Sequence, residues 1–137
     1  MSKVLNDIIK ANTSEILDMN REQMWEEGIV DVNNPSSILQ YAPSTIKHKK
    51  KRARYKRTDH ITLKDMGDFH AKMKLIIKAD EFVITSSDTK WSHFSSGDWG
   101  QGRFENALGL TEKNIGVLRE YVKSDLIIGF KDALQNS

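Results

Sequence analysis

Eight cations crowd into eleven residues of this chain. Lys47, Lys49, Lys50, Lys51, Arg52, Arg54, Lys56 and Arg57 are eight of its 21 lysines and arginines, and no acidic residue stands between Asp31 and Asp59. The other 13 cations face 19 acids, so the rest of the chain carries a net −6. A field of this kind draws polyanions, either nucleic acid phosphates or the acidic surface of a partner. Tyr55 is the one aromatic residue in the run, so phosphate contact fits it better than base stacking. The bland alternative is a solvated loop whose charges do nothing but repel one another.

A second group of reactive side chains follows at once. Asp59-His60 precedes Leu63-Lys64-Asp65-Met66-Gly67-Asp68-Phe69-His70, which sets two carboxylates and an imidazole within six residues. Oxygen and nitrogen donors at this density suit a divalent cation. The spacing has no matching second cluster, however, and the same residues make a turn: Gly67 supplies the backbone freedom, and Asp65 or Asp68 caps exposed amides. The expectation is therefore a turn motif of Leu63, Asp65, Gly67, Asp68, Phe69 and His70, with no metal. Ser86, His93 and Asp98 supply the residue types of a hydrolytic triad, but no G-x-S-x-G elbow places the serine. The glycines of Ser95 to Arg103 lack the Lys-Ser or Lys-Thr of a phosphate loop. Trp91, Phe94, Trp99 and Phe104 read as core and interface anchors. No catalytic residue and no cofactor is expected.

The elements that must position these groups follow from periodicity. Leu5, Ile8, Ile9, Ile16, Leu17, Met24 and Trp25 recur at near-helical spacing, which predicts an amphipathic helix from Val4 to Glu27. Asn12-Thr13-Ser14 marks a break or second cap, and Gly28 a stop. Asp31 to Ser37 reads as turn, and Ile38-Leu39-Gln40-Tyr41 as a short extended piece. Pro43 then introduces the basic run, with Ser44 or Thr45 able to cap a short helix; residues 46–58 are either that helix or a mobile loop. Phe69, Ala71, Met73, Leu75 and Ile77 alternate with polar neighbours, the period of a strand with one buried face. Ala79-Asp80 turns the chain and Phe82-Val83-Ile84-Thr85 returns it as the second arm of a hairpin. On this strand Phe69, Met73, Leu75 and Phe82 or Ile84 point to the core, and His70 to the polar side. Ser86-Ser87-Asp88 can cap a short helix. Thr111 opens a last helix whose stripe is Leu118, Val122, Leu126, Phe130 and Leu134.

Composition narrows the class. The chain has 137 residues, the size of a single domain (1–137) able to bury its own core. It lacks cysteine, which excludes disulfides, thiolate metal sites and cysteine nucleophiles. No apolar run approaches the roughly 20 residues of a membrane span, and Met1-Ser2-Lys3-Val4 opens into mixed polar sequence without a signal-peptide pattern. The resulting expectation is an α+β domain, a small antiparallel sheet with a central hairpin packed by N-terminal and C-terminal helices, with no membrane contact.

Four stretches carry a resemblance: Tyr41-Ala42-Pro43-Ser44-Thr45, Lys49-Lys50-Lys51, Thr58 through His70, and Gly109-Leu110-Thr111-Glu112-Lys113-Asn114. Together they resemble small virion proteins of tailed phages of gut Bacteroidetes. More remotely, the chain is similar to the head–tail connector or tail-completion family. Leu63, Gly67 and Phe69 match that family's leucine, glycine and hairpin-start pattern; Met66 stands where the family has threonine or serine. The resemblance implies a virion structural protein and not an enzyme. It would be made in the cytoplasm of a bacterial host and would form a ring with copies of itself against portal, neck or tail proteins, its basic run facing DNA or an acidic neighbour. The competing reading is a small nucleic-acid-binding accessory protein, using the Lys47–Arg57 run with Lys72, Lys74 and Lys78.

Overall fold

The structure is a computed structural model, and it describes residues 3–64, 67–79, 81–96 and 104–135. It is a small α+β fold: two short antiparallel hairpins flanked by N-terminal and C-terminal helices.

The helical stretch expected from Val4 is divided at the marked Asn12-Thr13-Ser14 position into α1 (Lys3–Ala11) and α2 (Thr13–Glu22). Asn12 sits at the break, in the cap position, but its side chain works backwards. It donates to the Ile8 carbonyl oxygen (2.8 Å) and to Asp125 of the last helix (3.1 Å). A π-helical turn, Gln23–Glu27, prolongs α2. Gly28 ends it as the sequence suggested, with φ at +86°. A β-carbon there would lie 2.5 Å from Ile38 and 3.1 Å from the His60 ring, so both conformation and space demand glycine.

Strand β1 (Val30–Asp31) pairs with β2 (Asn34–Ile38), a hairpin where the sequence reading had a turn followed by an extended piece. The Asp31 carboxylate accepts the Asn33 N–H at 2.9 Å and closes the bend. Beyond β2, Leu39 N–H donates to Ile29 and Ile61 N–H donates to Leu39. Those bonds lay residues 59–62 beside Leu39 and bring the chemistry-bearing segment into the core.

The predicted hairpin is present as β3 (Met73–Ile77) and β4 (Phe82–Ser86), in the register Met73↔Ser86, Leu75↔Ile84 and Ile77↔Phe82. Its first strand is shorter than expected. Asp68–Ala71 forms one helical turn, α4, opened by Gly67 at φ +93°. Positions i and i+4 share a face in a strand and in a helix alike, so Phe69 and Met73 satisfy either geometry. Phe69, Met73 and Ile84 are buried as expected; Leu75 and Phe82 pack half-buried against the same core.

Helix α5 (Thr89–Ser96) starts where Ser86-Ser87-Asp88 predicted, with the Asp88 carboxylate accepting the Lys90 N–H at 2.9 Å. The last helix, α6 (Glu112–Gln135), begins after Thr111, whose hydroxyl accepts the Asn114 N–H. Leu118 is buried and Val122 half-buried, whereas Leu126 is 38% exposed. The side chains of Phe130 and Leu134 lie outside the described residues.

Two buried amides fix the segment leading into α6, and its first turn, against α2 and the π-helical turn. Asn20 donates to the Ala107 carbonyl oxygen (2.9 Å) and accepts the Gly109 N–H (2.7 Å). Gln23 donates to the Gly109 carbonyl oxygen, and its own amide oxygen accepts from the Thr111 N–H and from Asn114, each at 2.9 Å. Buried amides cost stability unless bonded, and these are bonded on both ends. Among the described residues no helix is long and apolar enough to cross a membrane.

A basic helix as candidate partner interface

The first part of the basic run is an ordered helix, α3 (Pro43–Arg52), and the chain continues extended from Ala53. The expected Ser44 or Thr45 cap is not used. Ala42 holds the cap position with no side-chain bond, and Pro43 takes the first helical position, where its fixed φ suits the turn and its missing N–H costs nothing. Lys49, Lys50, Lys51 and Arg52 fill the last turn, where exposed carbonyls and the helix dipole favour positive charge. That placement offsets part of the repulsion that made a helix here doubtful from sequence.

Lys49 departs from the reading of the run as surface charge, because it belongs to the core. It is 1% exposed. Its ammonium donates to the Lys64 carbonyl oxygen at 2.9 Å and lies 5.4 Å from the centre of the Tyr41 ring. Ile46, Lys49 and Ala53 form the inward stripe at i, i+3 and i+7, with Ala53 also buried. This stripe holds the helix in one rotation, and Lys47, Lys50, Lys51 and Arg52 consequently face solvent, followed by exposed Arg54 and Lys56. Among the described residues none of these six lies within ion-pair distance of a carboxylate. Arg57 differs again. It pairs with Asp59 at 2.8 Å and with Glu26 at 3.3 Å. The hydrogen bond from Arg57 holds the Asp59 carboxyl down at about 2.

The structure adds an aromatic partner that the sequence reading did not connect to the run. Trp25 meets Tyr55 edge to face, 6.0 Å between centres at 78°. The Lys64 ammonium sits 4.4 Å from the Tyr55 centre and 5.4 Å from that of Trp25. Arg54 lies over Tyr55 and Arg57 over Trp25. These rings already have cations at their faces, so they serve to hold charge at the surface and leave little room for a stacked base.

The turn motif divides. Asp65 and Met66 lie outside the described residues. Leu63 adopts φ +56°, rare for a side chain of its kind, and packs half-buried against the core. Gly67 sits against Tyr55, Asp68 is exposed at the start of α4, and Phe69 is 2% exposed. His70 is the clear correction. It was expected on the polar side of a strand, but the helical turn carries it inward to 3% exposure. Its Nε2–H donates to the Thr62 carbonyl oxygen at 2.7 Å, which leaves Nδ1 buried without a partner. Burial pushes its pKa down to about 4, and the cations Lys64, Arg21 and Lys49 push the same way. His60 is also buried and donates Nε2–H to the carbonyl oxygens of Trp25 (2.8 Å) and Met24 (3.2 Å).

Among the described residues no three histidine or carboxylate side chains gather in a form that could hold a metal ion. Ser86 is buried, donating to the Phe69 carbonyl oxygen and accepting from the Asp88 N–H. The His93 side chain and Asp98 lie outside the described residues. The sequence matches no family model, no curated protein and no solved structure.

Proposed function

We propose that this chain is a non-catalytic structural subunit whose working element is α3, offered to a negatively charged partner in the setting its sequence resembles: the head–tail connector or tail-completion region of a tailed phage. One observation carries the reading. A buried lysine locks the helix in rotation, and Lys47, Lys50, Lys51, Arg52, Arg54 and Lys56 are all exposed with no carboxylate of the described residues to quench them. Crowding like charges is unfavourable unless a partner of opposite sign lies against them. An accessory nucleic-acid-binding protein would use the same helix and the exposed hairpin lysines Lys72 and Lys74. It would work as a monomer, whereas a ring subunit forms a defined multiple of 15.7 kDa.

The test uses duplex DNA as the probe polyanion. Lys47, Lys50, Lys51, Arg52 and Arg54 are changed together to Gln, with Lys49 kept because it is core. Wild-type affinity is expected to fall steeply with salt, and the variant to show a slope shallower by about one unit per lost phosphate contact. An unchanged slope together with unchanged assembly would make α3 a solvated face and defeat the proposal.

A further inference from the structure

A groove of about 720 Å³ runs between α2 and α6, shaped by the Asn20 and Gln23 bonds. Its rim on the α2 side is acidic: Glu15, Asp18 and Glu22 fall at i, i+3 and i+7, and Glu26 and Glu27 continue the line. Asp18 is shared with Arg21, Glu26 with Arg57 and Glu27 with Lys113. Glu15 and Glu22 are exposed and have no ion pair among the described residues. The α6 side offers apolar surface, with Val117 41% and Tyr121 58% exposed.

We infer that this groove receives α3 of a second copy of the chain, joining subunits head to tail. The two faces are complementary in charge at Glu15 and Glu22, and apolar surface lies beside those acids. Lys47, Lys50 and Lys51 repeat at i, i+3 and i+4, with the same rise per residue as the acidic stripe. Their aliphatic stems can cover Val117 and Tyr121 while the ammonium groups reach Glu15 and Glu22, and the exposed Tyr121 ring adds an attractive surface for a cation. A subunit cannot fill its own groove in this way, because Lys49 and Ala53 bury the inner face of α3 in its own core and turn the cations outward. The two patches are different surfaces of one chain, so the contact is heterologous and propagates from copy to copy. The inference rests on the reading of α3 as the partner-facing element and names its partner.

Charge reversal tests it by sedimentation velocity. One variant carries Glu15→Lys and Glu22→Lys, the other Lys47→Glu, Lys50→Glu and Lys51→Glu; all five positions are exposed. Wild type is expected to self-associate at low salt and to dissociate as ionic strength rises from about 50 to about 500 mM. Each variant alone is expected to associate about tenfold or more weakly, and their equimolar mixture to regain association, since each supplies the charge the other now needs. A groove variant that associates like wild type, a mixture that stays monomeric, or a wild type that is monomeric throughout overturns the inference. In any of these cases, DNA binding that still falls with salt and is lost in the helix variant leaves the reading of α3 standing. A helix variant that changes neither measurement overturns both.

Discussion

Residues 47–57 and 59–70 are neighbours in sequence, both rich in ionisable groups, and opposite in fate. The first keeps six of its eight cations in water and spends one, Lys49, as an internal anchor. The second turns its two histidines inward, each onto main-chain carbonyl oxygens, and leaves Asp59 and Asp68 outside. The difference lies in backbone regularity. A helix satisfies its own amides, so α3 can send its side chains outward. Residues 59–64 have no regular partner strand, and their neighbourhood depends on side chains such as His60, Thr62 and Tyr41 to satisfy polar groups in the core. Residues that suggest chemistry in a list of types thus act as structural bonds in one segment and as surface charge in the other.

The contrast is broken most severely at Phe69. Phe69→Ala empties a fully enclosed site in the second segment and is expected to cost about 3–5 kcal/mol in chemical denaturation. A loss below about 0.5 kcal/mol would be the value of a surface position and would contradict the burial.

His70 gives the next largest effect. Its folded pKa of about 4 lies below the value of about 6.5 in an unfolded chain. The unfolded form therefore takes up a proton first as pH drops. Stability is expected to fall between about pH 6.5 and 4 by about 3 kcal/mol, and the loss from this group is complete below pH 4. Asp59, held at about 2 by Arg57, acts only in a lower window, below its ordinary value of 3.8. Thermal melts across pH check this against His70→Gln, which keeps a donor for Thr62 but gains no proton. Equal slopes in the two proteins would remove His70 as the cause.

The finest cut lies within the basic run itself. Lys49→Met keeps the volume but leaves the Lys64 carbonyl without this donor, an expected cost of about 1–3 kcal/mol. Lys50→Met, one residue on and exposed, is expected to stay within about 0.5 kcal/mol. Equal midpoints in urea would erase the distinction between anchor and surface charge.

Patterns confined to a few residues were legible in the sequence. Alternation gave the β3–β4 hairpin, Gly28 the helix stop, Thr111 the start of α6 and Asp88 the start of α5. What escaped depends on neighbours far along the chain. His70 turned inward because Gly67 opens a helical turn, a choice that i, i+4 spacing does not decide. Lys49 was hidden by its type, although Ile46 and Ala53 at helical spacing on either side marked that position as inward. Trp25 joined the basic surface only through folding. The β1–β2 hairpin was masked by Asn34 and Pro35, which read as turn.

The amide clasp of Asn20 and Gln23 has a temporal consequence. Its partners are 86 to 91 residues further along the chain. At about 5–20 residues per second of synthesis, α2 leaves the ribosome about 4–18 s before the segment it must hold. Throughout that interval both amides lack their native partners, and the α6 wall of the groove has yet to be made. The acidic stripe of α2 and the basic helix α3 are therefore both made before α6, the second wall of the groove, so the surface on which the proposed subunit contact rests is completed late in synthesis.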